Sequence, residues 1–255
     1  LGSTDKEALA TGGVMPAGTY AAGISGRIPG RKMVSMRRQI MKGLFNGLCG
    51  SHGCVEVAFT TMTKAHAADP GQAFDYEALR LLRRLTTQNQ RVRAALRRTW
   101  EATRRGGREG PLANAKRIVA SIGWEWGELD RLRAGKITGT LWSDLESPAQ
   151  ARRRVLRTEG AEAAQKAAET AKRRLQKEEQ EWLHELREGL RSRELAQAES
   201  RRDDMKGVGQ GINREATRRL LDSGELSLYQ QGSLRTILAG AVYTEDRRFR
   251  HFEQG

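Results

Sequence analysis

Arg84, Arg91, Arg98 and Arg105 stand seven residues apart within Arg80–Arg117, a stretch holding twelve basic and two acidic residues. A guanidinium is a permanent cation whose planar fork of donors matches a phosphate. On a helix the four would form one stripe. Each step would rise roughly 10 Å, enough to follow successive phosphates of a bound strand. An apolar stripe lies well round from it: Ala78, Leu82, Leu85, Val92, Leu96 and Trp100, at spacings of three, four and seven. Together the two stripes predict one basic helix over about residues 75–105. A solvated basic face and a membrane-surface helix are the competing readings of the same pattern.

Other constellations carry less chemistry. Asp203-Asp204 has the form of a paired metal-binding aspartate, but polymerase aspartates need a turn between apolar strands and a third acid. Here the context is Arg201-Arg202-Asp203-Asp204-Met205-Lys206, which reads as a charge cluster at a helix end. Cys49 and Cys54 have a spacing zinc permits, with His52 between them, but His66 lacks a partner three to five residues away. Ordinary part-buried thiols are the favoured reading. Gly207-Val208-Gly209-Gln210-Gly211 has neither the Lys-Ser/Thr ending of a P-loop nor a preceding apolar strand. There is no Gly-x-Ser-x-Gly elbow, and none of the four histidines sits beside a nucleophile. No catalytic residue, metal site or cofactor is expected in this chain.

The 255 residues carry a net charge of +14, with 45 basic and 31 acidic side chains. Of the basic residues, 35 are Arg and 10 are Lys, a bias that leans towards nucleic acid or an acidic partner. Hydrophobic residues make up 38%, so the expected core is lean. No apolar run is long enough for a transmembrane helix. Two cysteines exclude a disulfide scaffold, and no secretory signal precedes the body of the chain. An intracellular location, nucleus or cytoplasm, is the expectation, without a membrane partner. The chain starts at Leu1 and stops at Gly255 just after an apolar pattern, which reads as a piece of a longer reading frame.

The elements that must position the arginines are mainly α, with one long charged helix and at most a small β-hairpin. Residues 1–110 read as an N-terminal helical region that includes the basic helix, with residues 1–35 mostly loop. Val55–Thr63 could be strand or helix, and Asp69-Pro70-Gly71 a turn. Residues 111–146 form a small mixed segment with a hairpin around Trp124–Trp126 and Ile137–Thr138. Ser147-Pro148 has the cap and first-turn chemistry that opens a helix. This long charged helix occupies 147–206, with a break expected near Gly160. Ala164, Ala168, Ala171, Leu175, Trp182 and Leu186 form a coiled-coil-like seam, and self-association through Leu175, Trp182 and Leu186 is one expectation. Residues 207–255 read as a joint followed by two short helices, Asn213–Leu221 and Ser227–Ala241. A standalone coiled-coil interaction protein with a basic surface is therefore the alternative to nucleic-acid binding.

A family likeness enters at the C-terminal stretch. Tyr229-Gln230-Gln231-Gly232, Leu234-Arg235-Thr236-Ile237-Leu238-Ala239-Gly240 and Thr244-Glu245-Asp246-Arg247 resemble a segment of non-LTR retroelement open reading frames, downstream of the reverse transcriptase core. Further pieces resemble it in the same order: Met36-Arg37-Arg38-Gln39, Thr63-Lys64-Ala65-His66 with Asp69-Pro70, Leu79 to Arg84, Gly110-Pro111, Ile122-Gly123-Trp124 and Arg202-Asp203-Asp204-Met205-Lys206-Gly207. The likeness runs from about residue 15 to the end and rests on order and spacing. It implies a helical region after the polymerase palm, thumb-like at its start, with the active-site aspartates before Leu1. It also implies a Cys/His segment after the Arg-Thr-Ile-Leu-Ala-Gly helix, which this chain does not reach. No catalytic or zinc role therefore transfers to any residue here. The implied partner is RNA or DNA, held through the phosphates.

Overall fold

The computed structural model describes residues 3–15, 19, 30–45, 54–63, 65–104, 110–222 and 224–238. They are mainly helical. The elements are α1 (Ser3–Leu9) with a π-helical turn (Ala10–Val14), α2 (Gly30–Phe45), α3 (Val55–Met62), α4 (Ala65–Ala68), α5 (Pro70–Gln88), α6 (Gln90–Arg104) and α7 (Pro111–Ser121). Strands β1 (Glu125–Glu128), β2 (Arg131–Ala134) and β3 (Ile137–Gly139) follow. Then come α8 (Pro148–Leu156), α9 (Ala161–Arg201), two single 3-10 turns, α10 (Arg214–Asp222) and α11 (Leu228–Leu238). The strands form an antiparallel meander in the order β1-β2-β3, with Ala134 opposite Ile137 in the second pair. The Gly-rich start, read as loop, is helical over the helix-forming run Ser-Thr-Asp-Lys-Glu-Ala-Leu. Val55–Met62 resolves to helix.

Two compact units divide the chain, and the division falls within α5 and α9. One comprises the residues up to Asp75, apart from Gly23–Gly26, together with those from Leu190 onward. Among the described residues its core includes two patches. Met41 and Leu44 of α2 meet Ala58 and Phe59 of α3 and Ala68 of α4. Cys54 and Val57 meet Leu195 and Ala198 of α9 and Met205. The other unit runs from Tyr76 to Gly189 with Gly23–Gly26. Its buried set includes Leu79, Leu96, Trp100, Ile118, Val119, Trp124, Leu141, Trp142 and Trp182. Trp124 and Trp182 meet edge to face at 5.8 Å, and the Trp100 and Trp126 centroids lie 5.0 Å apart.

The predicted single basic helix is two helices. α5 ends at Gln88 and α6 begins at Gln90, with Asn89 between them. Leu85 and Val92 keep helical spacing across it, with Thr-Thr-Gln-Asn-Gln-Arg between them. Asn89 is a favoured cap, and its Oδ1 accepts from the Arg91 backbone N–H at 2.9 Å. Arg93 then turns back, donating through Nε to the Thr86 carbonyl and through Nη2 to the Thr87 carbonyl at 2.8 Å. One side chain thus satisfies two of the carbonyls that the end of α5 leaves open.

The long helix opens as its cap predicts. Ser147 Oγ accepts from the Gln150 N–H at 3.3 Å, and Gln150 Oε1 accepts from the Ser147 N–H at 3.0 Å. It breaks at Gly160, whose φ of 89° suits glycine. The 41-residue α9 then runs on. Gly189 stays within it because a Cβ there would stand 3.3 Å from Ile122 Cβ, so the missing side chain permits a close approach. Trp182 and Leu186 are 2% and 0% exposed inside their own chain. Two of the three residues of the expected self-association seam thus pack in the chain's own core, while Leu175 is half-buried.

Candidate functional site

The basic stretch is sorted by what each cation does. Arg83 of α5, 2% exposed, donates to Glu178 at 2.5 Å, to Glu179 at 2.9 Å and to the Leu141 carbonyl at 2.7 Å. Its guanidinium also lies 4.9 Å from the Trp182 ring centre. Arg80 pairs with Glu77 at 2.7 Å. Arg93 caps α5, and Arg97 sits 5.8 Å from the Trp142 ring centre. Lys116 lies 3.5 Å over Trp100 and donates to Thr103 Oγ1 at 3.0 Å. These cations hold the unit together.

Arg84, Arg91 and Arg98 do not. All three are exposed, and none has a side-chain partner among the described residues. Arg91 and Arg98 share α6, while Arg84 stands on α5 across the Asn89 break, so the three are split over two helices rather than borne by one. Arg105 lies outside the described residues. Arg84 also opens onto a groove of about 960 Å3 bounded by Arg93 of α6, Arg153 of α8, and Gln176 and Gln180 of α9.

The other candidates are occupied. Asp204 accepts from Arg202 Nη2 at 2.9 Å and Asp203 pairs with Lys206 at 3.5 Å, the charge cluster read from the sequence. The Gly-rich loop does cradle an anion, but the anion is Glu199. Its two oxygens accept from the Gly207 and Gly209 N–H groups at 2.8 and 3.0 Å. A Cβ at Gly209 would collide with that carboxylate. Cys49 and His52 lie outside the described residues. Burial pushes the Cys54 thiol up to about 11. Among the described residues, no group of three or more His, Cys, Asp and Glu could hold a metal ion, and no helix is long and apolar enough to cross a membrane.

One polar cluster escapes sequence reasoning. Arg37 of α2 grips Asp69 with two bonds of 2.7 Å and Glu194 of α9 with one of 2.6 Å. Arg193 joins Glu194 at 2.9 Å and Asp75 at 2.6 Å. Burial works against the Glu194 charge, but Arg37 and Arg193 outweigh it and hold the carboxyl below its ordinary value. Asp69 also accepts from the Gly71 N–H at 2.9 Å and so starts α5. Its only sequence signal is the Asp-Pro pair, which opens helices as readily as turns. The acid and base functions here are consumed by each other, so the cluster ties helices together and presents no reactive group.

The chain is thus mainly α, with an outward-facing arginine set in the unit that carries the basic stretch. Comparison with family models, curated proteins and solved structures gives no match.

Proposed function

We propose that the chain is a non-catalytic nucleic-acid-binding segment of a retroelement polyprotein, whose parent is an RNA-directed DNA polymerase. It holds RNA or DNA by the phosphates. The observation that carries the binding reading is the sorting of cations: Arg84, Arg91 and Arg98 face solvent without partners among the described residues, while their neighbours are consumed internally. Phosphate contacts of this kind position a strand without reading its sequence. The retroelement parentage rests on the ordered motif likeness alone.

Binding is tested by titrating labelled RNA and DNA against the full chain as salt rises from roughly 50 to 500 mM, where affinity should fall steeply. An unchanged affinity overturns the reading. Changing Arg84, Arg91, Arg98 and Arg105 together to Gln should abolish binding with the helical signal intact. Parentage is tested by reading the frame upstream of Leu1. An aromatic-x-Asp-Asp strand-turn-strand there supports the polymerase parent, and a nearby in-frame start without one removes it.

A further inference from the structure

The groove beside Arg84 has a composition that the arginine face alone does not explain. Arg84 and Arg153 reach it from two different helices, and neither guanidinium has a partner among the described residues. Glu179, the one acid lining it among the described residues, is tied to Arg83 at 2.9 Å, which offsets its charge. Four glutamines, Gln88, Gln90, Gln176 and Gln180, line it with no side-chain partner among the described residues. The fifth, Gln150, is spent in the α8 cap. Leu145, 43% exposed, adds an apolar patch.

We infer that this groove binds a single-stranded segment of nucleic acid, with backbone phosphate on Arg84 and Arg153 and unstacked base edges on the glutamine amides. The inference rests on the nucleic-acid reading above and names the form of the ligand. A primary amide offers both donors and an acceptor, which is what an exposed base edge needs. A guanidinium only donates, so it can meet a phosphate, a base face or the acceptors of a guanine edge, but not a base's amino donors. About 960 Å3 lies at the top of the range for small-ligand sites, roughly 300–1,000 Å3. That admits a few splayed nucleotides, whereas a double helix is a broad, stiff cylinder whose Watson–Crick edges are already paired. No aromatic side chain lines the groove among the described residues, so stacking contributes little and the amides carry the preference for a single strand.

The test uses the full chain and fluorescence anisotropy with a labelled single strand and a duplex of the same length, about 20 nucleotides, longer than one single-strand site. Arg153→Gln removes the α8 cation. Gln176→Glu places a charge in the groove at almost constant shape. Both positions are exposed, so neither change threatens folding. Each should weaken single-strand binding about tenfold and leave duplex binding within about twofold, and Arg153→Gln should flatten the single-strand salt slope by about 0.7. Arg157→Gln, on an exposed residue outside the groove, should change neither. If both variants weaken single strand and duplex equally, or weaken neither, the groove assignment falls while the arginine face stands. If the unaltered chain binds neither probe, the nucleic-acid reading and the groove fall together.

Discussion

A buried guanidinium is tolerated when carboxylates and carbonyls meet its charge and most of its donors, and that condition separates the arginines here into two populations. Arg83 meets it with two carboxylates, a carbonyl and a ring face, and Arg37 with Asp69 and Glu194. Arg83 is buried but Glu178 and Glu179 are about a third exposed, so water takes over part of their charge when the guanidinium is removed, and Arg83→Met should cost about 1–3 kcal/mol in urea unfolding. Tryptophan emission is the sensitive readout, because all five tryptophans lie between Tyr76 and Gly189. The same change releases Glu179 towards the groove that it lines, so affinity for a single strand should drop as well. Glu194 gives a pH-dependent case. Its folded value lies below the ordinary 4.5, so its ionised form stabilises the fold above that pH. That contribution is lost as pH falls through the lower folded value. Urea midpoints of the chain and of Glu194→Gln should therefore differ at neutral pH and converge in strong acid. A gap that is constant with pH would contradict the linkage.

Short-range chemistry decides some element ends and tertiary partners decide others. Ser147-Pro148 and Gly160 are legible because cap geometry and a left-handed φ depend only on the residues themselves. The Asn89 break is not, because Leu85 and Val92 keep helical spacing across it. What settles it is Arg93 reaching back to the Thr86 and Thr87 carbonyls, an alternative that periodicity does not weigh. Gly189, a poor helix former by itself, is held inside α9 by its close approach to Ile122. Since Asn89 accepts from the Arg91 N–H, Asn89→Ala should cost about 1 kcal/mol, the usual value of a lost cap. Thermal or urea unfolding followed by circular dichroism measures it. A variant as stable as the parent would show that Arg93 alone carries the junction.

Across the whole chain, charge counting locates the basic stretch but cannot say which of its cations are free. Arg83 and Arg84 are neighbours of the same type. One faces carboxylates about 95 positions later in the sequence, and the other faces solvent. Arg37 reaches Glu194 across 157 positions, a partner that local pattern cannot indicate. Binding should therefore scale with the free set rather than with the total of +14. Each phosphate contact contributes about 0.9 to the slope of log affinity against log salt on duplex DNA, so Arg84→Gln, Arg91→Gln and Arg98→Gln together should flatten it by close to 3. Replacing the same three by Lys keeps the charge and removes the fork. The slope should then survive while affinity drops, because counterion release follows charge and the bidentate bond follows geometry. Two unrelated base sequences should give the same slope and nearly the same affinity. A strong preference for one of them would mean that the amides in the groove, not the arginines, govern binding.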